Sequence, residues 1–422
     1  MLPNPMRFVH AADIHLDSPL RNLALRPDAP IDRLRSATRS AFTNLIDLCI
    51  ERQAAFLILA GDLYDHDFPN MQVALFLRSQ LARLDQAGIR VVIAKGNHDA
   101  DNKITSALAL PGNTRILDDR APESIRYDDL PVVIHGQSFR PGKITANLAR
   151  DYPKKSPGLL NIGVLHTSLA GNADHDPYAP CSLDDLTTRG YAYWALGHIH
   201  KGAVLARDPW VVYPGNTQGR DAKETGPKGC VVVDVENDRV VSAETVATDV
   251  LRWQRAEIDL GDAVTEAELV ERLRAALTLA HRDSAGRPSA VRAIFSGRTP
   301  LNANLARTPE RFRQTVLELA AEIGGEDIWI EKINDETSAP SGPRRDENET
   351  ASELIRIMQE LAEDRTQIGP LLSAELEPLR SKLPEELKEL PALELLRDAG
   401  LARELFTQLQ PRLNALLAGE DD

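Results

Sequence analysis

Five short clusters of Asp, Asn and His carry the chemistry in this sequence. They are Asp13-Ile14-His15, Gly61-Asp62-Leu63-Tyr64-Asp65, Gly96-Asn97-His98-Asp99, the single His166, and Gly197-His198-Ile199-His200. Their donors are carboxylate and amide oxygen and imidazole nitrogen, with no thiolate. That set suits manganese, iron or zinc in an open site rather than a structural zinc or an iron–sulfur cluster. Asp13, His15, Asp62, Asn97, His166, His198 and His200 are too many for one ion that must keep an open position. They match two ions sharing a bridging carboxylate, about 3.5–4 Å apart, a pair able to clamp the attacking and leaving oxygens of a displacement at phosphorus. Lone histidines such as His10 and His135 are expected to be packed side chains, and nothing is assigned to them.

The elements that must position these groups are legible as well. Short Val- and Ile-rich runs at Arg7–Ala12, Phe56–Ala60, Arg90–Ala94, Val132–His135, Ile162–Leu165, Tyr193–Leu196, Trp210–Tyr213 and Cys230–Val235 are bounded by turn residues and predict buried strands. Helical faces lie between the early ones, at Phe42, Leu45, Ile46 and Cys49 and at Val73, Leu77, Leu81 and Leu84. Alternation of strand and helix predicts an α/β domain over residues 1–250, its later strands in mixed sheets. Each donor cluster follows or ends a predicted strand, and sites in α/β folds assemble at the carboxyl ends of strands.

Residues 251–335 predict a small α/β module of strand, helix, strand, helix, strand. Thr308 is the expected N-cap and Pro309 the first residue of its second helix. Residues 336–350 are polar, with two prolines and a glycine, and predict a linker. Residues 351–422 are Leu-rich, with stripes at Leu354, Met358 and Leu361 and at Leu383, Leu387 and Leu390, cut by prolines into short helices.

The 422 residues are 42% hydrophobic, enough for a sizeable core, and no apolar run approaches a membrane span. Three cysteines exclude a disulfide scaffold and fit a reducing cytoplasm. Met1–Phe8 lacks the pattern of a secretory signal. A net charge of −14 argues against coating nucleic acid by bulk electrostatics, so DNA binding would need a local basic groove or a partner. Residues 351–422, with 8 basic and 15 acidic side chains, hold half of that excess.

The ordered motif set resembles the signature of the calcineurin-like metallophosphoesterases. Three stretches are similar to the DNA-repair exonuclease branch of SbcD and YhaO type: Phe8–Asp17, Gly197–Lys201, and Tyr213-Pro214-Gly215-Asn216-Thr217-Gln218-Gly219-Arg220. The resemblance implies a four-layer αββα sandwich, with residues 251–335 as a capping domain and the C-terminal helices placed to dock a partner. It implies that Asp13, His15, Asp62 and His200 hold one divalent cation, most naturally Mn²⁺, and that Asp62, Asn97, His166 and His198 hold a second. A hydroxide bridging the two would attack a phosphodiester while His98 assists the leaving oxygen, and Asp99 would orient His98. Asp65 stands where some members carry histidine. The implied partners are DNA and a coiled-coil ATPase of the structural-maintenance (SMC-like) type, and members of the branch often form homodimers.

Arg33 and Arg35, in a loop before the first helix, and Lys201 and Arg220 after the last motifs are the candidates for phosphate contact. Hydrolysis of small phosphodiesters, nucleotides or phosphoproteins is the competing enzymatic reading, and a non-catalytic DNA-end scaffold is the competing reading of another class.

Overall fold

The computed structural model describes residues 6–18, 30–65, 71–100, 109–169, 178–340 and 356–357. The expected strands form and sort into two six-stranded sheets. The first uses β1 (Met6–Ala11), β2 (Phe56–Ala60), β3 (Arg90–Ala94), β4 (Thr114–Ile116), β11 (Gly229–Glu236) and β12 (Arg239–Ala247), in the order β12-β11-β1-β2-β3-β4. Strands β1 to β4 run parallel, and β11 and β12 add an antiparallel edge. The second sheet uses β5 (Glu123–Tyr127), β6 (Leu130–Gly136), β7 (Leu160–His166), β8 (Tyr193–Gly197), β9 (Ala203–Arg207) and β10 (Trp210–Tyr213), in the order β5-β6-β7-β8-β10-β9. Its inner strands β6, β7, β8 and β10 are parallel.

Alternation along each strand decides the layers. Phe8, Phe56, Ile58 and Val92 point from the first sheet into a core shared with Ile134, Ile162, Val164, Tyr193 and Val212 of the second. Val9, Leu57, Leu59, Val91 and Ile93 point the other way. They meet Phe42, Leu45, Ile46 and Cys49 of α1 (Ile31–Glu51) and Val73, Leu77, Leu81 and Leu84 of α2 (Met71–Gln86). The outer face of the second sheet carries a thinner cover, α3 (Leu183–Thr187) and a 3₁₀ turn over Leu148–Asp151. A capping box starts α3: Ser182 Oγ accepts the Asp185 N–H at 3.1 Å, and Asp185 Oδ2 accepts the Ser182 N–H at 2.9 Å. Four layers result, as the family resemblance implies.

A third, three-stranded sheet has the order β13-β14-β15, from Arg252–Asp259, Ser289–Ser296 and Ile328–Asp335. Helices α4 (Glu266–Asp283), α5 (Asn302–Arg307) and α6 (Pro309–Gly324) accompany it. Pro309 opens α6 as expected, but Thr308 makes no side-chain cap. Its hydroxyl donates instead to the Asn304 carbonyl at 3.0 Å, in the short α5 that the sequence pattern did not reveal.

Two compact units divide the chain: Met1–Arg255 with Ala280–Val291 and Glu326–Glu331, and Ala256–Leu279 with Arg292–Gly325 and Lys332–Asp422. Most of the expected linker and, apart from residues 356–357, the Leu-rich C-terminal region lie outside the described residues. Among the described residues no helix is long and apolar enough to cross a membrane.

Gly163 shows how tightly the second sheet is packed. It pairs with Trp194 across β7 and β8, and a methyl group there would stand 2.3 Å from Trp194 Cε3. The ring cannot easily retreat, because Tyr191 stacks 5.0 Å away and Trp194 Nε1–H donates to the Leu186 carbonyl at 3.0 Å. Gly163→Ala should therefore lose about 1–3 kcal/mol by overpacking, read as a lower midpoint in urea unfolding of the full chain.

Candidate metal centre

Five parallel strands from the two facing sheets deliver the donors. Asp13 and His15 follow β1, Asp62 follows β2, and Asn97 and His98 follow β3. His166 is the last residue of β7, and His198 and His200 follow β8. Beyond the strands proper, Asp13 N–H donates to the Gly61 carbonyl at 3.0 Å and His15 N–H to the Asp62 carbonyl at 3.0 Å, so the first two strand ends turn inward together. The turns are tight: Asp13, His15, Asp62 and His198 all have positive φ, between 46° and 101°. Such conformations are costly for ordinary side chains and gather at functional sites.

Two glycines make the remaining room. A methyl group at Gly61, where φ is 99°, would lie 2.2 Å from His166 Nδ1. One at Gly96 would lie 2.2 Å from Asp62 Oδ1, so Gly96 is needed for space rather than for a left-handed turn.

Asp13, His15 and His200 form one group whose ligand atoms lie within 4.8 Å of one another, and Asp62, His166 and His198 form another. In the first group, His15 Nδ1 is 2.7 Å from Asp65 Oδ1 and His200 Nδ1 is 2.6 Å from Glu224 Oε1. A carboxylate only accepts, so each Nδ1 carries a proton and each ring turns its Nε2 inward. Those two Nε2 atoms are 3.2 Å apart. Two nitrogens each about 2.1 Å from one ion are separated by roughly 3.0–3.4 Å. The geometry is that of one edge of a coordination shell.

In the second group, His166 Nδ1–H donates to the Ala60 carbonyl at 2.9 Å, which leaves Nε2 facing Asn97 Oδ1 at 3.0 Å and Asp62 Oδ2 at 3.4 Å. The same Asp62 oxygen lies 3.9 Å from His15 Nε2, so Asp62 stands between the groups. Its other oxygen accepts the His98 N–H at 3.0 Å. Both oxygens of Asp13 accept the His198 N–H at 3.1 Å.

The electrostatics show a cluster short of positive charge. Burial pushes the Asp13 carboxyl up to about 6, against the pull of His200 and His166. Burial also acts to raise Asp62, but the charge of His166 and its hydrogen bond hold Asp62 well below the usual carboxylate range. Burial opposes a charge on His166, yet Asp62 lifts it to about 9. His15, under burial and beside Arg220, falls to about 4. A proton retained on His166 is what this set of acceptors does in the absence of a cation. Carboxylate, amide and imidazole donors in two groups fit two divalent ions, the first between Asp13, His15 and His200 and the second among Asp62, Asn97, His166 and His198.

The surroundings correct several expectations. Asp99 has other work than orienting His98. Its Oδ2 accepts the Leu63 and Gly96 N–H groups at 3.0 and 3.1 Å, and its Oδ1 accepts the Tyr64 N–H at 3.0 Å, which ties the second strand end to the third. Burial and the nearby Asp62 push its carboxyl up to about 7. The carboxylate at His98 is Asp65, 3.2 Å from His98 Nδ1 and also bound to His15. Burial works against a charge on His98, but the bond to Asp65 raises its pKa.

Arg220 belongs to the centre rather than to an open groove. Its guanidinium lies 3.5 Å from Asp65, 3.6 Å from Glu224 and 3.2 Å from Ser18 Oγ. Arg33 and Arg35 sit in the first turns of α1, not in a loop. Arg33 donates to the Glu326 carbonyl at 3.1 Å and pairs with Asp327 at 3.5 Å, while Arg35 and Lys201 are exposed. His10, between Tyr193 Oη and the Leu196 carbonyl, is the packed histidine expected. Glu224 was missed altogether. No spacing in the sequence marks it, and only the fold brings it to His200.

The model for calcineurin-like phosphoesterases matches residues 6–202, and the model for the middle domain of the metallophosphoesterase YhaO matches residues 253–338. An uncharacterized metallophosphoesterase YhaO from Bacillus subtilis strain 168 is 34% identical over 339 residues, 79% of this chain and 82% of that protein. A DNA double-strand break repair protein Mre11 from Methanopyrus kandleri is 25% identical over 300 residues, 64% of this chain and 62% of its own length. A component of the nuclease SbcCD from Staphylococcus epidermidis is 23% identical over 292 residues, 62% of this chain and 75% of that one. The likeness runs beyond the donor groups into the three-stranded module, and it makes the chain a member of the calcineurin-like metallophosphoesterase family, hence a metal-dependent hydrolase.

Proposed function

We propose that the chain is an Mn²⁺-dependent phosphodiesterase that cuts DNA as the nuclease subunit of a repair complex. The observation that carries the reading is the pair of donor groups joined through Asp62, with His98 at their edge and its Nδ1 held by Asp65. Two bound divalent ions would neutralise a phosphodiester and make a water acidic enough to act as nucleophile near neutral pH. The protein's own part is to hold and move a proton. Asp65 keeps the His98 ring turned with Nδ1 inward, which leaves Nε2 to protonate the departing oxygen. The His98 side chain is 32% exposed, against 0% for His15 and His166, so a substrate can reach it. The DNA substrate is supported by relatives named for double-strand break repair and for a nuclease.

In this reading residues 1–250 are the nuclease domain and 251–335 the cap, while residues 336–350 link to a docking region at 351–422 for a coiled-coil ATPase. Of the four candidate cations, Lys201 and Arg35 are exposed and offered to phosphates, while Arg33, also exposed, pairs with Asp327 and Arg220 with Asp65.

End-labelled DNA incubated with the full chain should shorten in Mn²⁺ and less so in Mg²⁺. Cleavage of a chromogenic diester with DNA left intact would decide for small substrates instead. His98→Ala should lower the rate about 10²–10⁴-fold while two ions per chain remain by elemental analysis, and an unchanged rate would remove the acid role. A chain ending at Pro340 should keep metal-dependent hydrolysis and fail to co-purify with the ATPase. Retained binding would place docking elsewhere.

A further inference from the structure

Glu224 and Arg220 stand directly behind His200 and Asp65. Resting on the reading that the two donor groups hold cations, we propose that Glu224 and Arg220 are positioning residues for the ion between Asp13, His15 and His200. They act through the imidazoles of His15 and His200 and leave the other ion untouched.

Glu224 divides its two oxygens between two tasks. Oε1 lies 2.6 Å from His200 Nδ1. Oε2 accepts the Arg220 N–H at 2.8 Å and the Asn216 Nδ2–H at 2.7 Å. The carboxylate is thus fixed by its own loop while it aims the imidazole. Asp65 does the same for His15 at 2.7 Å. Arg220 stands between these two carboxylates, 3.5 Å from Asp65 Oδ2 and 3.6 Å from Glu224 Oε1. It cross-links them. The separation of the two inward Nε2 atoms, 3.2 Å, is therefore set by a chain of His15, Asp65, Arg220, Glu224 and His200. Lys228 Nζ steadies the far end, donating to the His200 carbonyl at 3.0 Å.

The second ion has no such dependence through His166, whose Nδ1 is held by the Ala60 carbonyl, a backbone group that no side-chain substitution removes. A carboxylate behind a ligand histidine fixes its tautomer and orientation and strengthens it as a donor, and its loss typically weakens metal binding about 10–100-fold. The two cation positions should therefore respond differently to one substitution. A residue that merely supported the fold would affect both or neither.

The test is Mn²⁺ titration of the full-length metal-free chain by calorimetry, with elemental analysis and electron paramagnetic resonance of the loaded protein. The unaltered chain should take two ions and show the exchange-coupled signal of a neighbouring pair. In Glu224→Ala and Glu224→Gln one ion should bind as before and the other about 10–100-fold more weakly. At metal concentrations that saturate the unaltered chain, the isolated-ion signal should replace the coupled one, and the coupled signal should return with excess Mn²⁺. Arg220→Gln should act in the same direction with a smaller effect.

Two ions at unaltered affinity in Glu224→Ala, or equal weakening of both, would overturn the proposal. If metal-free Glu224→Ala unfolds at a lower temperature, the near-isosteric Glu224→Gln decides by the same criterion. Failure of the unaltered chain to bind two ions would overturn this inference together with the reading beneath it. Two ions without DNA cleavage would overturn only the proposed substrate.

Discussion

Everything at the centre answers to one electrostatic constraint: buried oxygen and nitrogen lone pairs crowd around Asp62 with too few protons among them. Asp13, Asp62 and Asp99 are buried within one network, and three imidazoles turn Nε2 toward it or into it. Unpaired buried charge is expensive, and the fold spends much of its local detail on containing it. Backbone N–H groups are aimed at carboxylates, as at Asp13, Asp62 and Asp99. Histidine Nδ1 protons are given to outer acceptors. What these devices leave over is a demand for positive charge at two points, which divalent ions meet.

The architecture was readable because it rests on composition that leaves little choice. β2 is buried at all five positions and β7 at all seven, and such apolar runs between turn residues have few alternatives to an inner parallel strand. Edge strands were harder to see. β12 alternates partly exposed positions, and β9 is short and mostly open to solvent, so neither stands out from loop sequence. The donor residues were readable for a related reason: Asp, Asn and His directly after buried strands can serve either as turn formers or as ligands, and five such sites in order favour the second.

Their supporting groups were not readable in that way. Asp65, Glu224 and Arg220 reach their partners across sequence separations of 50, 24 and 155 residues, through loops whose shape depends on packing elsewhere. Asp99 shows the opposite error. Adjacency to His98 suggested a partnership, but neighbouring residues in a turn often point apart, and the carboxylate found three backbone donors. The Tyr213–Arg220 stretch illustrates what a family signature can encode. Asn216 holds Glu224. Gln218 accepts the Val250 N–H at 2.9 Å and donates to the Leu251 carbonyl at 2.7 Å, and Trp253 Nε1–H donates to the Gly219 carbonyl at 2.8 Å. One short loop thus braces His200 through Glu224 and anchors the approach to β13.

The left-handed backbone at Asp13, His15 and Asp62 narrows the substitutions that such a centre tolerates. Asp, Asn and His are also the side chains that tolerate this conformation with least penalty. Coordination and chain geometry therefore vote for the same narrow alphabet at the same places. A change from aspartate to glutamate, conservative by charge, offends both at once, whereas a step to asparagine forfeits only the charge.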